Sequence, residues 1–168
     1  MDKNLILIGM PGSGKSTVGV ILAKTLAMDF VDTDLLICRR EGCALQAILD
    51  VQGLDRFLHV EESVILENRF QNCVVATGGS VVLEREAMGY LRGGGLCIFL
   101  DVSLPELERR ITNIKSRGIA FRPGQTLEQL YRERMPLYRR WADLTISVPD
   151  GHDMTETVVE DIVTALGR

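Results

Sequence analysis

The chain has 168 residues, 46% of them apolar and 25% charged, with a formal net charge of −4. That length suits one well-cored domain and is short for two. The composition excludes a disordered or fibrous chain, and the acidic balance excludes sequence-independent binding to phosphate backbones, which needs clustered Lys and Arg. The charge is uneven, however: between 105 and 140 nine Lys or Arg stand against four Glu. A basic zone of that size in an acidic chain suits a small anionic ligand better than a nucleic acid.

In chain order, "NLILIG" predicts a short buried strand, a glycine-rich turn follows, and "KSTVGVILAKTLA" predicts a helix. "DFVDTD" reads as a second strand ending in acids, with helical segments over 35–51 and 54–70. "CVVATGG" is a third strand stopping at glycines and "GLCIFLD" a fourth, with a helix over 84–92 between them. Ser103 with Glu106, and Thr126 with Gln129, are capping-box patterns that open two further helices. "DLTISV" is a fifth strand and 153–166 a final amphipathic helix. The stretch 113–125, rich in cations and glycine, is the one long irregular segment. Strands alternating with helices predict an α/β chain whose parallel sheet is covered on both faces. Ligands then bind beyond the carboxyl ends of the strands, where Gly9, Asp32, Asp34, Gly78 and Gly79 fall. Cys38, Cys43, Cys73 and Cys97 have no metal-ligand spacing and read as reduced, buried small hydrophobes. No signal peptide precedes the first strand, and no segment approaches the roughly 20 apolar residues of a membrane span. A cytoplasmic monomer without membrane or nucleic-acid partners is expected.

The turn Gly9-Met-Pro-Gly-Ser-Gly-Lys-Ser16 matches G-x-x-x-x-G-K-[ST] between a strand and a helix. Backbone N–H groups from Gly12 to Thr17, with Ser13 and Gly14 among them, and the positive end of the helix are expected to cradle the phosphates of ATP. Lys15 reaches the terminal phosphates and Ser16 offers its hydroxyl to Mg²⁺. Asp32 and Asp34 flank one residue at the end of the second strand. One is placed to hold magnesium through water and the other to orient or deprotonate an attacking hydroxyl; the alternative for the pair is an Asx turn or helix cap.

Two charged residues sit on apolar stripes. Arg134 shares its stripe with Leu127, Leu130, Leu137 and Tyr138, so it is expected on an inner face, meeting a ligand anion or a structural Asp or Glu. Glu61 lies seven residues after Leu54 in the stripe of Phe57, Leu58, Val64 and Ile65. A carboxylate there either finds a partner or loses its charge.

"GMPGSGKST", "FVDTD", "ATGGS" and "RERMPLY" with a later "AD" come in the order of the shikimate kinases, phosphotransferases related to nucleoside monophosphate kinases, and the likeness covers nearly the whole chain. Gluconate kinases resemble it in the phosphate loop and lack "ATGG". The resemblance implies the three-layer P-loop NTP hydrolase fold, with strand order 2-3-1-4-5, an acceptor subdomain over about 33–62 and a lid over about 112–125. It also implies ATP and Mg²⁺ as cofactors, a small hydroxy acid as substrate, and a place in aromatic amino-acid biosynthesis. On these positions Asp34 resembles the residue that engages the acceptor hydroxyl, and Asp32 the one in the magnesium water shell. Gly78 and Gly79 resemble the substrate-side glycines, Arg134 the arginine that grips the acid, and Arg110 the one packed on adenine. Arg117 resembles the catalytic lid arginine, with Arg122 the other candidate. The family usually follows that arginine with proline, where this chain has Gly118. In two further places the chain departs from the pattern: Leu58 stands where an arginine is usual, and Ser80 where a third glycine is usual.

Phosphorylation of shikimate is therefore the expected activity. Loss of the arginine at 58 leaves Glu61 without a cation, and a ligand ammonium would restore the pair, so a hydroxy amino acid such as homoserine is the alternative acceptor. The rival outside enzymology is a nucleotide-binding module that has lost its acceptor.

Overall fold

The apolar run that opens the chain forms β1 (Asn4–Ile8), buried at all five positions. The computed structural model describes residues 3–111, 118–151 and 154–167. β1 lies between β3 (Cys73–Ala76) and β4 (Gly95–Asp101), while β2 (Asp29–Asp32) and β5 (Leu144–Ser147) form the edges. All four pairings are parallel, in the expected order 2-3-1-4-5. Parallel neighbours need crossovers, and helices supply them. α1 (Lys15–Leu26) and α7 (Thr155–Ala165) pack together on one face; α3 (Leu45–Glu67), α4 (Arg85–Gly94) and α6 (Leu127–Trp141) cover the other. With both faces covered, β1 and β3 need no alternation of apolar and polar residues and show none.

One polar residue enters this layer with all its bonds made. Asn4, 4% exposed, donates to the carbonyls of Phe70 and Gly94 and accepts from the Cys73 N–H at 3.1 Å. It thereby ties the entry of β1 to the entries of both neighbouring strands, at the end of the sheet opposite the phosphate loop.

The 35–51 helix of the sequence reading is corrected to two pieces. α2 (Thr33–Glu41) stops at Gly42, whose φ of 69° turns its N–H back to the Cys38 carbonyl. α3 then begins at Leu45 and is interrupted at Gly53, near the break expected from the sequence. It ends at Glu67 rather than at 70, because Asn68 adopts an extended conformation. A 3₁₀ turn (Val81–Leu83), not foreseen from the sequence, follows the glycines after β3. α2 and α3 enclose a second apolar cluster of Ile37, Ile48, Phe57, Val60 and Val64, with Leu58 packed at its edge. Ala120 joins that cluster from far along the chain.

Both capping residues open their helices, but the full capping box forms only at Thr126; the Glu106 side chain bonds Arg109 and Arg110 instead of the Ser103 N–H. Ser103 opens α5 (Leu104–Arg110) by accepting from the Glu106 N–H. At α6, Thr126 accepts from the Gln129 N–H at 3.1 Å while the Gln129 side chain accepts from the Thr126 N–H at 2.9 Å. Because α6 carries Arg134, this cap also fixes part of the site. Thr126→Ala is expected to destabilise the fold by about 1 kcal/mol, a drop in Tm of about 2–4 °C, measured by thermal unfolding; an unchanged Tm would contradict the capping role.

Candidate active site

The loop between β1 and α1 turns on Gly14, the N-cap of α1, at φ 89°. That left-handed value is open to glycine at little cost and leaves the first N–H groups of α1 facing outward. Lys15 folds back over the loop, its Nζ donating to the Gly9 and Met10 carbonyls at 2.8 and 2.9 Å and to Ser13 Oγ at 3.3 Å. Ser16 Oγ donates to Asp32 Oδ2 at 2.7 Å, and the other Asp32 oxygen accepts from the Asp34 N–H at 2.9 Å. Asp32 is thus a helix cap and the partner of the loop hydroxyl at once. Two oxygen donors side by side at the loop fit a hard divalent cation.

A cavity of about 280 Å³ opens beyond the carboxyl ends of β1 and β3, and Lys15, Asp34, Gly78, Gly79, Ser80 and Arg134 reach it from different elements. Gly12, Gly14, Ser16 and Thr17 form its loop side. The two substrate-side glycines are required by close approach. A Cβ on Gly79 would lie 2.7 Å from Pro11 Cδ, and one on Gly78 would collide with Glu61 Oε1 and lie 2.9 Å from Asp34 Oδ1.

Arg134 is 2% exposed. Its Nη2 donates to the Ala120 carbonyl at 2.7 Å, while Nε and Nη1 have no hydrogen-bond partner of good geometry among the described residues. The structural Asp or Glu partner allowed by the sequence is therefore not what the described residues provide. Tyr138, one turn further on α6, donates to the Gly79 carbonyl at 2.6 Å and stacks on Phe99 of β4, which ties the glycine pair to the sheet.

Charge in this pocket is tuned by burial. Desolvation lowers Lys15 to about 8, with Asp34 the main opposing influence. Asp34 is raised to about 6, first by burial and then by Asp32, against the pull of Lys15. Near neutral pH the pocket thus holds a carboxylate close to its own pKa beside a mostly protonated lysine, a combination suited to moving a proton from a hydroxyl while holding a phosphate.

Glu61 is fully buried, and of the two outcomes open to a carboxylate on an apolar stripe, a partner or loss of charge, it shows both. Ser80 Oγ donates to Glu61 Oε2 at 2.7 Å, and Oε1 has no hydrogen-bond partner among the described residues. Burial pushes the Glu61 carboxyl up to about 8, with the Ser80 hydroxyl opposing, so the group has lost its charge at neutral pH. Arg56 is exposed and bonds Gln52, away from the cavity.

On the far side of the phosphate loop a second cleft is lined by Ser13, Gly14, Val18, Arg110 and Val148. Arg110 is held there by Glu106, its Nε 2.6 Å from Oε1. Glu106 is itself drawn down to about 2 by its bonds to Arg109 and Arg110. Arg117 lies outside the described residues. Arg122, the other lid candidate, is exposed and pairs with Glu133 at 3.0 Å, away from the cavity that holds Lys15. Gly118 bonds the Gln46 side chain through its N–H at 3.2 Å, and its φ of 62° and close approach to Leu45 exclude a larger residue.

The fold and the phosphate loop define a P-loop phosphotransferase. The shikimate kinase family model matches residues 11–167. A shikimate kinase of Haemophilus influenzae is 38% identical over 165 residues, 96% of this chain and 91% of that protein; one from Pasteurella multocida is 40% identical, covering 86% and 85%. Among solved structures, a shikimate kinase from Acinetobacter baumannii in complex with shikimate superposes with a TM-score of 0.86 at 30% identity, over 98% of this chain and 93% of that one. A gluconokinase from Sinorhizobium meliloti, 19% identical with a TM-score of 0.51, shares the fold alone. The chain belongs to the shikimate kinase family, and it is an ATP- and Mg²⁺-dependent phosphotransferase with a hydroxyl group as acceptor.

Proposed function

We propose that the chain transfers the γ-phosphoryl group of ATP to a ring hydroxyl of shikimate, giving shikimate 3-phosphate and ADP. The observation that carries this reading is Arg134, buried in the cavity that Asp34 and Lys15 also line, with Nε and Nη1 lacking a hydrogen-bond partner of good geometry among the described residues. Nε and Nη1 would take the acceptor's carboxylate in bidentate fashion. Gly78 and Gly79 give the acceptor room, and Asp34 takes the proton of its hydroxyl as the new P–O bond forms and the β–γ bridge breaks. Loop N–H groups from Gly12 to Thr17 and Lys15 hold the phosphates, and Arg110 flanks the adenine cleft. Ser16, with Asp32 through water, would hold the magnesium, which neutralises developing charge on the transferred group. The same reading makes residues 33–62 the acceptor subdomain and 112–125 a lid carrying Arg117, in a monomer of the cytoplasm without nucleic-acid or membrane partners. Among the described residues no helix is long and apolar enough to cross a membrane.

The pKa shifts give a pH profile. Asp34 must be ionised to accept a proton, and Lys15 must be protonated to hold phosphate. Acceptor kcat/KM is therefore expected to fall below about pH 6 and above about pH 8. The limbs belong to the coupled pocket rather than to single residues. A profile that stays flat from about pH 5 to 9 would contradict these roles.

A second reading rests on Glu61 Oε1, buried with no hydrogen-bond partner among the described residues. An acceptor ammonium placed there would ionise Glu61 and favour a hydroxy amino acid such as homoserine. ADP release measured separately with each acceptor decides: saturable turnover with shikimate and none with homoserine is expected, and the reverse would overturn the shikimate assignment.

A further inference from the structure

Two of the positions at which the chain departs from the family pattern, Leu58 and Ser80, are neighbours of Glu61, the first along its helix and the second through a hydrogen bond. Leu58 precedes Glu61 by three residues on α3, so the two side chains are neighbours on one helix face. Leu58 is half-buried at the edge of the apolar cluster of α2 and α3. No Lys, Arg or His nitrogen among the described residues lies within 4.0 Å of the Glu61 carboxyl. Its one bond comes from Ser80, itself 3% exposed, which follows the substrate-side glycines directly. The free oxygen, Oε1, sits against Gly78, with Asp34 Oδ1 on the same glycine. Glu61 is therefore the wall behind the backbone that faces the acceptor, and Ser80 is what pins that wall.

We propose that Ser80 is a positioning residue: its hydroxyl holds Glu61 where a cation at position 58 would otherwise do so, and through Glu61 it sets the affinity of the acceptor pocket. The second half of this rests on the phosphotransfer reading above; the first half does not. Without the hydroxyl, Glu61 keeps no partner at either oxygen, and its side chain is free to swing against Gly78 and Asp34. An arginine at 58 would restore a partner from the other side of the same carboxyl, so the losses at 80 and the gain at 58 must be coupled rather than additive.

Two measurements on the full chain test this, using Ser80→Ala, Leu58→Arg and the double variant. The first needs no acceptor. Groups facing Glu61 are Asp34 on α2, Lys15 on α1, Arg134 and Tyr138 on α6, and Glu84 ahead of α4. Glu61 has a folded pKa raised above its unfolded value, so its contribution to stability is present in acid and is lost as pH rises through about 8. Removing the Ser80 bond to the ionised form raises that pKa further. The difference in thermal stability between wild type and Ser80→Ala is thus expected to widen above about pH 8, and titrating groups not coupled to Glu61 cancel in the difference. Ser80→Thr, which keeps the hydroxyl, is expected to retain the wild-type pH dependence. The second measurement compares KM for shikimate and for ATP. Ser80→Ala is expected to raise the acceptor KM by up to about tenfold, the scale of one net hydrogen bond between neutral groups, with ATP KM unchanged, and Leu58→Arg is expected to recover most of that loss in the double variant. A stability gap constant with pH together with additive KM effects would overturn the proposal and leave Ser80 a packing residue. Failure of wild type to turn over shikimate would remove the function reading, while the pH comparison still decides whether Ser80 holds Glu61.

Discussion

Asp34→Asn is expected to lower kcat for acceptor phosphorylation by about 10²–10⁴-fold, the range associated with a positioned general base, with ATP KM little changed. Three features set this expectation. Asp34 lies in the first turn of α2, where the capping bond from its N–H to Asp32 fixes its backbone. Its carboxyl faces the same glycine as Glu61 and the same cavity as Lys15 and Arg134. Burial raises it to about 6, close enough to neutrality for it to take a proton at moderate cost while remaining ionised at pH 7. Asparagine preserves the volume and the hydrogen-bonding edge but accepts no proton. Steady-state kinetics at saturating ATP check the prediction; a loss confined to acceptor KM would show that Asp34 only binds.

The second large effect is at Arg134. Arg134→Ala removes both free donors, and two charge-assisted bonds at roughly 1.5–3 kcal/mol each amount to a rise of at least about 100-fold in acceptor KM. ATP KM is expected to hold, because Arg134 reaches the cavity from α6 and not from the phosphate loop. The Ala120 carbonyl also loses its donor, so a modest fall in Tm is expected alongside. Equal loss of affinity for ATP and acceptor would contradict the assignment of this arginine to the acid.

Much of this site was legible in the chain because its elements are local patterns. The phosphate loop is one contiguous motif, Asp32 and Asp34 end a strand, and the helical period alone put Arg134 and Glu61 inward. The order of the motifs along the chain carried the resemblance to the shikimate kinases, and that resemblance implied the strand order. What the sequence could not show is pairing at a distance. Ser80 with Glu61 spans 19 residues, Arg134 with Ala120 spans 14 and Tyr138 with Gly79 spans 59. No period or spacing encodes such contacts, and they arise only when β3, α3 and α6 converge. Leu58 and Ser80 each broke a pattern separately; the fold bonds Ser80 to the carboxyl of Glu61, which follows Leu58 by three residues on α3. Gly118, another departure, has its cause in α3, whose first residue Leu45 leaves no room for a side chain.

The central claim is that the terminal phosphate of ATP moves to a hydroxyl of shikimate. ³¹P nuclear magnetic resonance of the protein with MgATP and shikimate tests it directly, because it follows the phosphorus itself. Loss of the γ-phosphate signal matched by a new phosphate monoester is expected, with formation of that monoester abolished or strongly slowed in Asp34→Asn. Release of orthophosphate at a rate indifferent to shikimate, with no monoester, would contradict it.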